Sequence, residues 1–122
     1  IKNYSIRKNI AKTLTENKAK LASVISPLAY VSKHAHIEEG TVIMNHAVVN
    51  EKAEIGKNCI INSMSNIEHG VKIGNFCHIS TCAVINGDSV VENGSFIGSN
   101  ATISNGILIK ENSIISAGKF LK

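Results

Sequence analysis

The stretch INSMSNIEHGVKIGNFCHISTCAVI, residues 61–85, decides how this chain folds. Ile61, Ile67, Ile73, Ile79 and Ile85 recur at every sixth position, and the period runs from Ile25 to Leu121 without a slip. All seventeen positions are aliphatic, and all but the last are β-branched. Side chains of that shape suit a pleated, buried surface. A period of six is neither helical nor that of one long strand; it marks a repeat. Four residues after each such position the side chain is usually small, as at Ala47, Ala53, Cys59, Ser65, Cys77, Ala83, Ser89, Ser95 and Ala101. The third residue after it is often Gly, Asn or Asp, as at Gly40, Asn58, Gly70, Asp88, Gly94, Asn100 and Asn112. These types tolerate positive φ, so each hexad holds a short strand and a turn near its third and fourth residues. Large and small side chains then alternate inward along a solenoid of stacked coils.

The pattern resembles the hexapeptide-repeat left-handed parallel β-helix, in which three hexads, eighteen residues, make one triangular coil. Handedness is what this resemblance implies; periodicity does not supply it. Residues 25–122 make about five coils of an all-β domain, and neighbours in the stack are found by adding eighteen. Cys59 and Cys77 become stacked, inward-facing core residues. Residues 1–24 read differently, as a short N-terminal α-helix and a linker. Ile6, Ile10 and Leu14 recur four apart behind Ser5, an expected N-cap, which predicts an amphipathic helix. Such a helix must dock, either over the open first coil or against a part of the protein upstream. Starting at Ile1, the chain reads as a piece of a longer one.

Composition narrows the function classes. With 43% hydrophobic residues but only 4% aromatic and no Trp, the core is aliphatic. No run of eighteen apolar residues occurs, which argues against a membrane span. The charge of +4 comes with lysines crowding the first twenty residues. Without interleaved aromatics they form a solvated helix face, not a nucleic-acid surface. Three cysteines with no CxxC spacing do not make a zinc finger or a redox motif. With no leader visible, they read as reduced thiols of a cytoplasmic protein.

Five histidines carry the chemistry: His34, His36, His46, His69 and His78. His69 falls two residues after Ile67, in a turn, and points outward at a corner. His78 precedes Ile79 on the outer face of a strand. Adding eighteen sets Gly87 over His69, which is expected to leave an open notch, and sets Asp88 over Gly70. A base with an orienting carboxylate beside a space can carry acid–base catalysis. Glu51, one coil below His69, is a second candidate for the orienting role. Thr81, Ser99 and Ala117 form a ridge of small residues at successive turns, along which an extended ligand could reach backbone groups.

Residues 60–88, IIN-x-x-S-x-IEHG-x-x-IG-x-x-x-x-IST-x-x-V-x-NGD, resemble the bacterial sialic acid O-acetyltransferases, beside UDP-4-amino-sugar N-acetyltransferases of similar build. FIGS at 96–99 and SIISAG at 113–118 continue the match, and IKNYSIRKNI resembles the end of that family's nucleotide-sugar-binding domain. The resemblance implies a homotrimer with acetyl-CoA in clefts between adjacent β-helices, working in bacterial surface-glycan synthesis. It makes His69 the catalytic base and places His78 near the acetyl group, with Ser99 and Ala117 along the pantetheine path beside Gly87. The amino-sugar branch carries a carboxylate directly after the catalytic histidine. Here that position is Gly70, so Asp88 is expected to take over orientation. This departure points to O-acetylation of sialic acid or its nucleotide-activated form. N-acetylation of a UDP-4-amino-sugar and a non-catalytic trimerising β-helix stand as alternatives. One zinc-binding branch of these trimers uses an H-x4-H pair, which is missing here, so no metal is expected. The chain also lacks the family's Gly-rich nucleotide-binding motif and its G-x-P-A loop, and reads as an acetyl-transfer core expected to have weak or no activity by itself.

Overall fold

A computed structural model describes residues 2–122. Among these residues, seventeen two-residue strands follow one another at six-residue intervals, from Val24–Ile25 to Phe120–Leu121. They form three all-parallel sheets of six, six and five strands, each strand pairing with the one eighteen residues away. Three hexads therefore make one coil, and about five coils stack into a parallel β-solenoid. The first sheet holds His78–Ile79 between Ile60–Ile61 and Phe96–Ile97. The second holds Asn66–Ile67 and Val84–Ile85, and the third Lys72–Ile73 and Val90–Val91.

The six-residue pattern maps directly onto burial. Ile43, Ile55, Ile61, Ile67, Ile79, Ile85, Ile97 and Ile103 are essentially inaccessible, with Ala47, Ala53, Cys59, Cys77, Ala83 and Ala101 between them. The terminal coils are looser, and Ile25 is 44% exposed, because an end coil lacks a neighbour on one side. From Gly40 to Gly118, though not at Leu28 and His34 in the first two hexads, the fourth residue of each hexad takes the left-handed conformation, among them Asn58, Asp88, Asn100 and Asn112, but also His46, Lys52, Met64, Phe76 and Cys82. At these five sites the stacked turns override the residue's own preference.

Polar side chains among the small inward residues have a specific job. Thr41 Oγ1 donates to the Gly56 carbonyl at 2.7 Å, Ser89 Oγ to Ser104 at 2.8 Å and Ser95 Oγ to Lys110 at 3.0 Å. Cys59 Sγ and Cys77 Sγ reach Gly74 O at 2.9 Å and Glu92 O at 3.2 Å by the same fifteen-residue step. Each buried group thus satisfies a turn carbonyl of the next coil. Contact with Cys77, together with burial, pushes the Cys59 thiol far above the ordinary thiol range. All three cysteines are free.

Helix α1 spans Ser5–Glu16. Its N-cap is Tyr4 rather than the expected Ser5, which is the first helical residue and donates its N–H to Asn3 Oδ1 at 2.8 Å. The helix does not lid the first coil. It lies along the corner formed by the turns at Asn58, Phe76, Gly94 and Asn112. Tyr4 stacks on Phe76 with ring centroids 5.9 Å apart and donates its hydroxyl to Asn112 at 2.8 Å. Arg7 bridges the carbonyls of Asn58 and Phe76 at 2.7 and 3.1 Å, and Ala11 is buried. A Cβ at Gly94 would collide with the Tyr4 ring, so that glycine makes room for the helix. The docked face is therefore Tyr4, Arg7 and Ala11. Ile6, Ile10 and Leu14 remain exposed, because the turn ridge offers carbonyls, and a guanidinium pairs with carbonyls better than an alkyl chain does. No described helix is long and apolar enough to cross a membrane.

Candidate active site

The turn after Ile67 carries His69 at the corner between the second and third sheets. Backbone ladders hold that corner in register. Gly70 N donates to Glu51 O at 3.0 Å, and Asp88 N donates to His69 O at 3.0 Å. The residue before His69 is also fastened: Glu68 accepts from the Asn50 amide at 3.0 Å and from the Asn66 amide at 2.9 Å. The backbone that presents His69 is thus fixed on both sides, while its side chain stays 61% exposed.

His69 Nδ1 lies 4.0 Å from Asp88 Oδ1. That separation is beyond a direct hydrogen bond but within range for a carboxylate to steer an imidazolium. Since Asp88 is 74% exposed, the pair contributes little to stability. The Asp88 carboxylate occupies the space where a side chain on Gly70 would begin. A carboxylate that does not follow the histidine in sequence thus reaches its side from the coil above.

Gly87 behaves differently from the expected open notch. A Cβ there would stand 2.6 Å from His69 Cε1 and 2.7 Å from Nε2, so the imidazole itself fills the space the glycine leaves. The open volume lies to the side, a cavity of about 370 Å³ lined by Glu51, Lys52, His69, Gly70 and Asp88. Gly87 is outside the left-handed region, so alanine suits its backbone. Gly87→Ala is expected to leave the unfolding temperature within about 2 °C while swinging the ring out of the cavity. Turnover by the intact protein should then fall about tenfold or more. Unchanged turnover would show that the ring's place against Gly87 is immaterial.

His78 is outward-facing, as expected, yet only 8% exposed. Asn62 Nδ2 approaches its Nε2 at 3.3 Å, and Phe96 packs edge-on with centroids 5.2 Å apart. Neither neighbour is among the residues expected from the sequence. Phe96 was findable, being eighteen residues after His78; Asn62 sits on the diagonal, sixteen before it.

Only some of the expected site residues come together in one chain. His69, Gly87 and Asp88 share the corner between the second and third sheets. His78 lies on the first sheet, the face opposite that corner. Ser99 and Ala117 form part of the turn ridge between the first and second sheets, where Gly118 N donates to Ser99 O at 2.8 Å. On that ridge a Cβ at Gly98 would meet the backbone of Ala117. A single solenoid cannot apply His69 and His78 to one ligand.

Comparison with known proteins agrees with this architecture. The family profile described as bacterial transferase hexapeptide (six repeats) matches residues 34–69 and 52–87, and that of the hexapeptide repeat of succinyl-transferase matches 89–122. No curated protein matches the chain. Among solved structures, the acetyltransferase domain of PglB from Neisseria gonorrhoeae FA1090 is 28% identical with a TM-score of 0.97, over 100% of this chain and 60% of that one. The same domain in complex with acetyl coenzyme A is 29% identical, TM-score 0.93, over 97% of this chain and 58% of that one. PerB from Caulobacter crescentus, in complex with CoA and GDP-perosamine, is 25% identical, TM-score 0.97, over 100% of this chain and 59% of that one. The chain thus spans about 60% of the length of the first of these. With repeats matched across 34–87 and 89–122 and a solenoid that superposes end to end on these acetyltransferase structures, the chain belongs to the hexapeptide-repeat transferases.

Proposed function

We propose that the intact protein transfers acetyl from acetyl-CoA to the amine of a nucleotide-linked amino sugar, with His69 as general base. The observation that carries this reading is the corner where Asp88 stands beside His69. It lies in a chain whose fold coincides with structures that hold acetyl-CoA in one case and CoA with GDP-perosamine in another. His69 takes a proton from the amine as its nitrogen attacks the thioester carbonyl. The carbon–sulfur bond breaks, and the proton passes to the departing CoA thiolate. Asp88 orients the imidazole and offsets the charge it gains.

The amine acceptor replaces sialic acid O-acetylation as the leading reading for two reasons. GDP-perosamine is the sugar held by a relative. In addition, Gly70, which pointed away from the amino-sugar branch, has Asp88's carboxylate in its missing side chain's place. The assembly in this reading is the homotrimer that the family resemblance implies. His69 and His78 lie on opposite sides of one solenoid, which supports an arrangement in which His69 of one copy meets His78, Ser99 and Ala117 of the next. Acetyl-CoA would then lie in the cleft between copies. The steps as written assign no role to a metal, and bacterial glycan synthesis in the cytoplasm is the setting that the family resemblance implies.

The test is an acceptor panel. With acetyl-CoA, the intact protein should release free CoA thiol on a nucleotide-linked amino sugar and none on sialic acid. Turnover on sialic acid alone would restore the hydroxyl reading, and none on either would make the chain a structural trimer.

A further inference from the structure

We infer that Glu51 selects the acceptor by its charge, binding the ammonium form of the amine in the cavity beside His69. This rests on the acetyl-transfer reading above and deepens it. The cavity of about 370 Å³ is lined by Glu51, Lys52, His69, Gly70 and Asp88. Two carboxylates, Glu51 and Asp88, thus face it against the single lysine Lys52. Glu51 and Asp88 come from the coils below and above His69, so a cation between them sits directly against the imidazole. Glu51 is exposed, and its carboxylate has no hydrogen bond or ion pair among the described residues; its backbone carries the local order, its N–H donating to Asn50 Oδ1 at 3.2 Å and its carbonyl accepting from Gly70 at 3.0 Å. The backbone that carries the carboxylate is held, while the carboxylate itself is open to a ligand.

An aliphatic amine is mostly protonated near neutral pH, whereas a sugar hydroxyl is neutral. A negative cavity therefore distinguishes the two before any chemistry occurs. The proton balance is consistent with this. Of the three protons on the ammonium nitrogen, one remains on the amide and one leaves on the CoA thiol by way of His69. The third passes to solvent at the open mouth of the cavity. The nitrogen–carbon bond forms as the carbon–sulfur bond breaks, and nothing is oxidised or reduced.

The experiment compares the intact parent protein with Glu51→Gln, using a nucleotide-linked amino sugar and acetyl-CoA. The variant is isosteric and solvent-facing, and a thermal melt confirms its fold. The expected result is a rise in KM for the amine of about tenfold, with kcat and the KM for acetyl-CoA unchanged. The pH profile adds a readout that a structural role would not move. In the parent, KM for the amine should climb as pH passes the amine's own pKa, and in the variant that climb should flatten. Lys52, His69 and Asp88 also face this cavity, and all three are shared by parent and variant, so the comparison isolates Glu51. Parent turnover on the amine with a variant KM within twofold would overturn the role of Glu51 and leave acetyl transfer standing. No parent turnover on the amine would overturn both.

Discussion

Replacing His69 with alanine is expected to cut kcat of the intact protein by about 10²- to 10⁴-fold, the usual contribution of a positioned general base. The KM for acetyl-CoA should change little, because no cofactor contact is assigned to this side chain. Stability should hardly move. The ring is 61% exposed, and its nearest charged partner is 4.0 Å away. The measurement is thiol release against acceptor concentration, paired with a thermal melt. A loss below threefold would take His69 out of the mechanism. A collapse of the melt would mean that the ring holds the corner together instead.

The second large effect lies in the stack. Ile85 is fully buried between Ile67 and Ile103, its partners one coil below and one above. Ile85→Ala removes three carbons from a column that cannot close over the gap, since backbone hydrogen bonds hold the coil spacing. A cost of about 2–5 kcal/mol is expected. Leu108→Ala, on an outer face, should cost under about 0.5 kcal/mol by contrast. Urea unfolding of the two variants reads the difference. Equal costs would mean that the interior column is no better packed than the surface.

Most of the fold was legible because a solenoid is nearly one-dimensional. Each coil touches only its neighbours, so an aliphatic residue at every sixth position states both the strand and its burial. Adding eighteen correctly placed Asp88 over Gly70 and Cys77 over Cys59. The same arithmetic also separates His69 from His78, since Ile67 and Ile79 belong to different sheets. It does not say how a side chain is turned. Gly87 was expected to open a notch, and the imidazole occupies it. Burial of an outward residue was equally hidden: His78 is covered because Phe96 and Asn62 close over it.

The helix shows where a repeat stops informing. Its apolar residues Ile6, Ile10 and Leu14 suggested the docking face, yet Arg7 and Ala11 make the contact. What the turns expose is carbonyl oxygen, and an alternation of residue types does not describe that surface.

The sequence by itself determined the stacked coils, their inward residues and the corner that carries His69, because each of these depends only on a fixed period. Tertiary structure alone decided the side on which α1 lies, the seat of the imidazole against Gly87 and the lateral cavity between Glu51 and Asp88. Those features depend on side-chain direction and on contacts between segments that do not share the repeat, which only packing in three dimensions resolves.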